Sequence, residues 1–108
     1  MSSLNMKTKI YKIKKGKKDK FLAWANKLRT AYRDEVIKSL EEERVEREFV
    51  GVFEIEGNDY AIGFVLGENM LPSTQTELNL KHKEVLKDCM EAPINVEIVY
   101  DFSASESK

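Results

Sequence analysis

Cysteine is nearly missing from this chain. Cys89 stands alone, so no internal disulfide can form and no thiolate cluster is available to a metal. Histidine is just as scarce: His82 is single, and Cys89, seven positions on along the same helix face, brings no further ligand at metal-site spacing. Apolar runs of membrane-spanning length are absent, and the opening M-S-S-L-N-M-K has no signal-peptide core, so a cytoplasmic protein without membrane contact is expected. There is no glycine-rich nucleotide loop and no nucleophile–base–orienter set, so no cofactor is expected either. Charge of one sign is not in excess, the formal net charge being -1.

That near-neutral balance is uneven, since the first twenty residues hold eight lysines against Asp19. A basic arm can touch phosphates. Here no arginine or aromatic is interleaved at a spacing that reads bases, so no nucleic-acid partner is expected. The lysines read instead as a solvated strand and turn, paired with the acidic stretch from Glu41 to Glu48. At 108 residues the chain makes one domain with a single core. Residues 1–5 are expected as a mobile leader, 6–102 as the domain and 103–108 as a mobile tail.

What is present is a strong hairpin, V-E-R-E-F-V-G-V-F-E-I-E-G-N-D-Y-A-I-G-F-V-L-G, from Val45 to Gly67. Two β-branched and aromatic runs flank Gly57-Asn58, which the pattern places at the turn. The register that follows sets Ile55 against Tyr60, Phe53 against Ile62, Gly51 against Phe64 and Phe49 against Leu66. The other face then carries Val50, Val52, Ala61 and Val65, so both faces are apolar. Before the hairpin, Met6 to Ile13 alternates as a first strand. Phe21, Trp24, Ala25, Leu28, Tyr32, Val36 and Leu40 then recur at helical steps, predicting one helix from about Lys18. After it, Thr74 and Glu77 have capping-box spacing, and Leu78, His82, Val85, Leu86, Cys89 and Met90 form a second helical stripe that Pro93 stops. Ile94, Val96, Ile98, Tyr100 and Phe102 alternate as a half-buried last strand.

The order β-α-β-β-α-β predicts an α+β fold: a ferredoxin-like four-stranded antiparallel sheet with both helices on one face. Two helices cover one face only. We expect them to take the bulkier face of Phe49, Phe53, Ile62 and Phe64. The smaller face of Val50, Val52, Ala61 and Val65 would then meet a second copy, with Glu46, Glu48 and Glu54 as its polar rim.

The lysine-rich turn with F-L-A-W (Phe21 to Trp24), R-D-E-V (Arg33 to Val36), E-x-V-x-x-E (Glu43, Val45, Glu48) and H-K-E-V-L-K-D-C (His82 to Cys89) carry a resemblance. Over Met6 to Phe102 the chain resembles the dimeric α/β-barrel, antibiotic-biosynthesis-monooxygenase-like group of the ferredoxin-like folds, and within it a small uncharacterised bacterial family. That resemblance implies two sheets from two chains closing into a barrel with helices outside. Small-molecule binders, cofactor-independent oxygenases and haem-degrading enzymes occur on such scaffolds, and a shared fold does not choose among them. Haem degraders of the group combine a helix histidine with an asparagine on the first strand and a tryptophan on the third. This chain offers Asn5 at the strand's edge and Phe64, and carries Trp24 on its first helix.

For a site, the residues point between helices and sheet. Trp24, Leu28, Tyr32, Arg33 and Phe64 are the candidate ligand contacts and His82 the candidate catalytic group. His82 reads either as a packed histidine bonded to a carbonyl or to Glu48, or as a proton carrier. Cys89 among apolar neighbours reads as an inert thiol. Two functional classes follow. One is a homodimeric module binding a small apolar or aromatic molecule. The other is a cofactor-independent monooxygenase or isomerase acting through His82 on an aromatic or polyketide-like substrate.

Overall fold

The hairpin forms, but two residues out of the expected register. In the computed structural model, which describes residues 4–104, β2 (Arg47–Ile55) and β3 (Asn58–Glu68) pair antiparallel with Phe53 opposite Tyr60 and Phe49 opposite Phe64. The turn is Glu56-Gly57, not Gly57-Asn58. Both of its central residues have positive φ, 49° and 80°, as a type I′ turn requires. Holding glutamate there costs about 1–2 kcal/mol. The gain is on the strands: Phe49 stacks on Phe64 at 5.2 Å and Phe53 on Tyr60 at 5.4 Å. Two such pairs contribute roughly 0.5–1.5 kcal/mol each beyond burial, enough to offset the strained turn. Because the slip is by two, each residue keeps its face.

The remaining elements are β1 (Leu4–Lys12), α1 (Lys18–Arg29), α2 (Arg33–Glu42), α3 (Glu77–Cys89) and β4 (Ile94–Asn95). The described residues form an α+β fold, with four antiparallel strands in the order β2-β3-β1-β4 and three helices. β1 starts at Leu4, inside the stretch expected as a leader. The rest of that leader and residues 105–108 of the expected tail lie outside the described residues.

The single helix expected from Lys18 is in fact two. At Thr30 the hydroxyl donates to the Asn26 carbonyl at 2.7 Å, and the Tyr32 N–H reaches back to Lys27 O at 2.9 Å. A side chain that competes for backbone groups ends the first helix. Tyr32 then precedes the first residue of α2, and its ring meets Trp24 at 5.9 Å. The cap of α3 also differs from expectation. Thr76, not Thr74, accepts the Asn79 N–H, at 3.2 Å, because Thr74 is engaged with the Glu43 carboxylate.

The face assignment is corrected too. Ala61 is buried in one cluster with Ile13, Phe21, Cys89 and Met90, and Tyr11, Val52, Val85 and Leu86 pack against it. The helices therefore cover the smaller face. Large side chains from the helices need short ones beneath them, and Ala61, Gly63 and Val52 leave that room. Val52 is thus core, and Glu48 lies under the helix layer instead of on a dimer rim. The aromatic face of Phe49, Phe53, Tyr60, Ile62 and Phe64 is the one left without helices.

β4 stops after Asn95, whereas alternation predicted a strand through Phe102. Ile94 pairs with Ile10, so a continuing strand would have put Val96, Ile98, Tyr100 and Phe102 on that helix-free face. Among the described residues no helix lies over them there. The segment leaves the sheet, Tyr100 stacks on Phe102 at 5.3 Å, and Phe102 is 83% exposed.

The basic turn finds other acids than the expected ones. Lys17 and Lys20 both bind Asp88, Lys18 lies 3.4 Å from Asp59 and Lys12 4.0 Å from Glu91. The hydrogen bond from Lys20, then that from Lys17, lowers the Asp88 pKa. The Asp88 pairs tie the β1–α1 turn to the end of α3, and the Lys18–Asp59 pair ties the start of α1 to β3.

Candidate functional site

Helices rest on the sheet at the Ala61 end and stand off it at the other, leaving a cleft. It includes three half-open hollows of about 440, 370 and 560 Å³. The floor is β2, β3 and β1, through Glu48, Val50, Val65 and Lys7. The walls are Leu28 of α1, Val36 and Leu40 of α2, and Leu78 and His82 of α3. The connection after β3 closes one side with Met70, Leu71, Pro72 and Ser73.

That connection is fastened by Glu43, just past the end of α2. Its Oε2 accepts from the Thr74 N–H at 3.4 Å, the Thr74 hydroxyl at 3.3 Å and the Asn79 amide at 3.2 Å. The Glu43 carbonyl accepts from Leu71 N at 2.9 Å. At the same end, a side chain at Gly67 would sit 2.3 Å from the Arg44 carbonyl oxygen, so only glycine fits.

His82 is held by Trp24. The indole N–H donates to Nδ1 at 2.8 Å, and the two rings lie stacked with centroids 6.1 Å apart. A donor at Nδ1 requires that nitrogen to be bare, which puts the ring proton on Nε2. Burial lowers the His82 pKa, so the neutral ring is favoured. No hydrogen bond to Nε2 is found among the described residues. No buried side-chain nitrogen or oxygen there lacks a partner, so Nε2 reaches open volume. His82 lines two of the cavities. With its proton on Nε2, the ring has an N–H that Trp24 leaves unused. Its partner is neither a carbonyl nor Glu48, the two expected from sequence.

Of the other expected contacts, Leu28 lines the cleft and Arg33 borders one of its hollows together with Arg29 and Ile37. Trp24 is buried at 5% exposure and acts behind His82, with the Lys81 ammonium 5.7 Å from its ring. Tyr32 packs on Trp24 and lines none of the three cavities. Phe64 borders one cavity through the strand, but its ring stacks on Phe49 at the opposite face. The arrangement therefore brings His82, Leu28 and Arg33 to one cleft and leaves Trp24, Tyr32 and the Phe64 ring outside it.

Glu48 was missed as a cleft residue. It borders all three cavities. Burial raises its pKa and the nearby charge of Glu43 adds to this. By surface area the residue is exposed, because the cleft is open; the concave walls still remove much of the water around its carboxyl. The signal was its parity with Val50 and Val52, which becomes informative only once the covered face is known.

Cys89 is wholly buried and its thiol pKa is raised by that burial, which suits packing and not nucleophilic chemistry. Among the described residues no group of three or more His, Cys, Asp or Glu side chains could hold a metal ion. No helix among them is long and apolar enough to cross a membrane.

No curated protein and no solved structure matches the chain. A family model does match, over residues 4–106, nearly the whole sequence, and the chain therefore belongs to that family, a family of unknown function (DUF6176).

Proposed function

We propose that the protein is a homodimeric, cytoplasmic small-molecule-binding module of ferredoxin-like, dimeric α/β-barrel type, with one binding cleft between helices and sheet in each protomer. The observation that carries the binding role is His82, which borders two mostly apolar hollows with its ring held by the Trp24 indole. A rigid donor in a mostly hydrophobic hollow is the usual composition of a ligand site. A proton-accepting His82 fits less well, since Nε2 in this tautomer already carries its proton.

Dimerisation is supported by the helix-free face. Phe49 and Ile94 are 44% and 49% exposed there, and Gly51, Ile62, Ile10 and Ile94 form one row across the sheet. Soluble monomers rarely leave contiguous apolar patches beyond a few hundred Å² uncovered. A second copy meeting that face sheet to sheet would bury it by twofold symmetry.

A thermal-shift screen of small apolar and aromatic compounds, on wild type and on His82→Ala, tests the cleft. Compounds that raise the melting temperature of wild type and lose the effect in the variant bear the reading out. Equal shifts in both proteins overturn it. For assembly, sedimentation at micromolar concentration is expected to give twice the 12.5 kDa chain mass, and Phe49→Asp to give monomer. A clean wild-type monomer removes the dimer.

A further inference from the structure

Residues 96–102 have the pattern of a strand and pair with none among the described residues. Val96, Ile98, Tyr100 and Phe102 alternate with Glu97, Val99 and Asp101, yet β4 ends at Asn95. Val99 is 82% exposed, Tyr100 75% and Phe102 83%, more than any other large apolar side chain described. A strand edge nearby is free as well. β4 occupies the outer side of β1 only at Lys9 and Ile10, so residues 4–8 pair with β3 and have no neighbour strand on their other side. Such an edge is a template for one more strand.

The free edge and the free segment match in chemistry. On β1, Leu4, Met6 and Ile10 lie on the helix-free face, while Lys7 and Lys9 share the other face with Tyr11. Laid along that edge with its apolar side on the helix-free face, the segment brings Glu97 and Asp101 to the side of Lys7 and Lys9. None of these four charges has an ion-pair partner among the described residues. Area argues the same way. Nine paired residues and three long strands give the helix-free face about 30 by 14 Å, or roughly 850 Å² in two copies. A specific interface takes about 1,200 Å² or more. Tyr and Phe bury about 150–250 Å² each, so Tyr100 and Phe102 of both copies supply what the sheets lack.

The segment's own β1 edge adjoins it and stays empty, because the chain turns away after Asn95. A pairing within reach and not taken leaves the segment for an edge elsewhere. Stacked sheets lie about 10 Å apart, which about three extended residues span, so a segment departing at Asn95 reaches a copy stacked on the helix-free face. Resting on the homodimer reading, we propose that residues 96–102 are an exchanged arm. Each copy's arm lies along the outer edge of β1 in the other copy, with Tyr100 and Phe102 closing over the end of that copy's helix-free face. The fourth strand of each sheet is then completed only by a second copy. Exchange of an identical segment is a low-cost route to a symmetric dimer.

The wild-type full chain tests this directly. Copies labelled with ¹³C are mixed with unlabelled copies, and isotope-filtered NOE spectra then read only contacts between copies. Cross-peaks from the Tyr100 and Phe102 rings to Leu4, Met6 and Ile10 of the other copy are expected. Contacts of the rings with these residues inside one copy only, or no contact of the arm with β1, overturn the exchange while the dimer stands. A wild-type monomer in sedimentation overturns both. In the full chain, Tyr100→Ser combined with Phe102→Ser removes two exposed rings and is expected to weaken dimerisation at least about tenfold, with the helical circular dichroism kept. A dissociation constant left unchanged by that pair overturns the arm.

Discussion

Replacing Trp24 by phenylalanine removes the one N–H that holds the His82 ring, while an aromatic surface stays in place under Lys81 and beside Tyr32. The lost hydrogen bond is worth about 1 kcal/mol net. Shrinking a side chain that is 5% exposed leaves a void worth about another 1 kcal/mol. Together these lower the melting temperature by roughly 8 °C in a domain of this size. The more telling effect is on protonation. A donor aimed at Nδ1 opposes a proton there, and burial opposes the charged ring as well, so His82 titrates below its ordinary 6.5. The unfolded chain takes up that proton near 6.5 while the folded one resists. This contribution to stability is therefore complete above about 6.5 and is lost as pH falls through the folded value. In Trp24→Phe the titration midpoint moves up towards 6.5 and the pH dependence of melting flattens. Long-range ¹H–¹⁵N spectra of the imidazole report both midpoint and tautomer. An Nδ1–H tautomer in wild type, or a midpoint that Trp24→Phe leaves unmoved, refutes the reasoning.

Four further outcomes follow from the same geometry. Glu48→Gln is expected to raise the melting temperature at pH 7, because a carboxyl with a raised folded pKa weakens the fold as pH climbs through that value; the advantage should vanish below the unfolded carboxyl range. Glu56→Asn gives an Asn-Gly turn that accepts two positive φ values and should stabilise by about 0.5–1 kcal/mol in urea denaturation; a loss would mean the turn lies elsewhere. Gly67→Ala places a methyl group against the Arg44 carbonyl and should cost about 2 kcal/mol or more by the same assay. Glu43→Ala frees Thr74 and Asn79, should cost about 1–2 kcal/mol, and should draw the Glu48 titration down in carboxyl ¹³C spectra.

The sequence carried the order of strands, their faces and the helical stripes, because alternation and 3.6-residue spacing are local. It did not carry which sheet face the helices choose. Both faces of the hairpin are apolar, and the choice rests on how Phe21 and Met90 fit over Ala61, a matter of volumes across the whole layer. That one undetermined bit moved Glu48 from an expected interface rim to the cleft floor and sent Phe64 the other way. The register slip has a similar origin. Gly57-Asn58 looked the better turn by itself, but the cross-strand stacking of Phe49 with Phe64 and of Phe53 with Tyr60 outweighs it. The break at Thr30 was invisible because Tyr32 and Val36 keep the apolar rhythm across it. His82 was legible as an inward histidine; its bond to Trp24 joins residues 58 apart in the chain, which spacing within a helix cannot reveal.

The Glu43 carboxylate has a mechanical consequence. One oxygen gathers Thr74 and Asn79 while the backbone of the same residue holds Leu71. The tail of α2, the connection after β3 and the start of α3 are thus riveted at one point. A loop pinned in this way does not flap over the cleft on its own. Displacing any one of these three segments breaks contacts that hold the other two, so this side of the cleft yields as one piece or not at all.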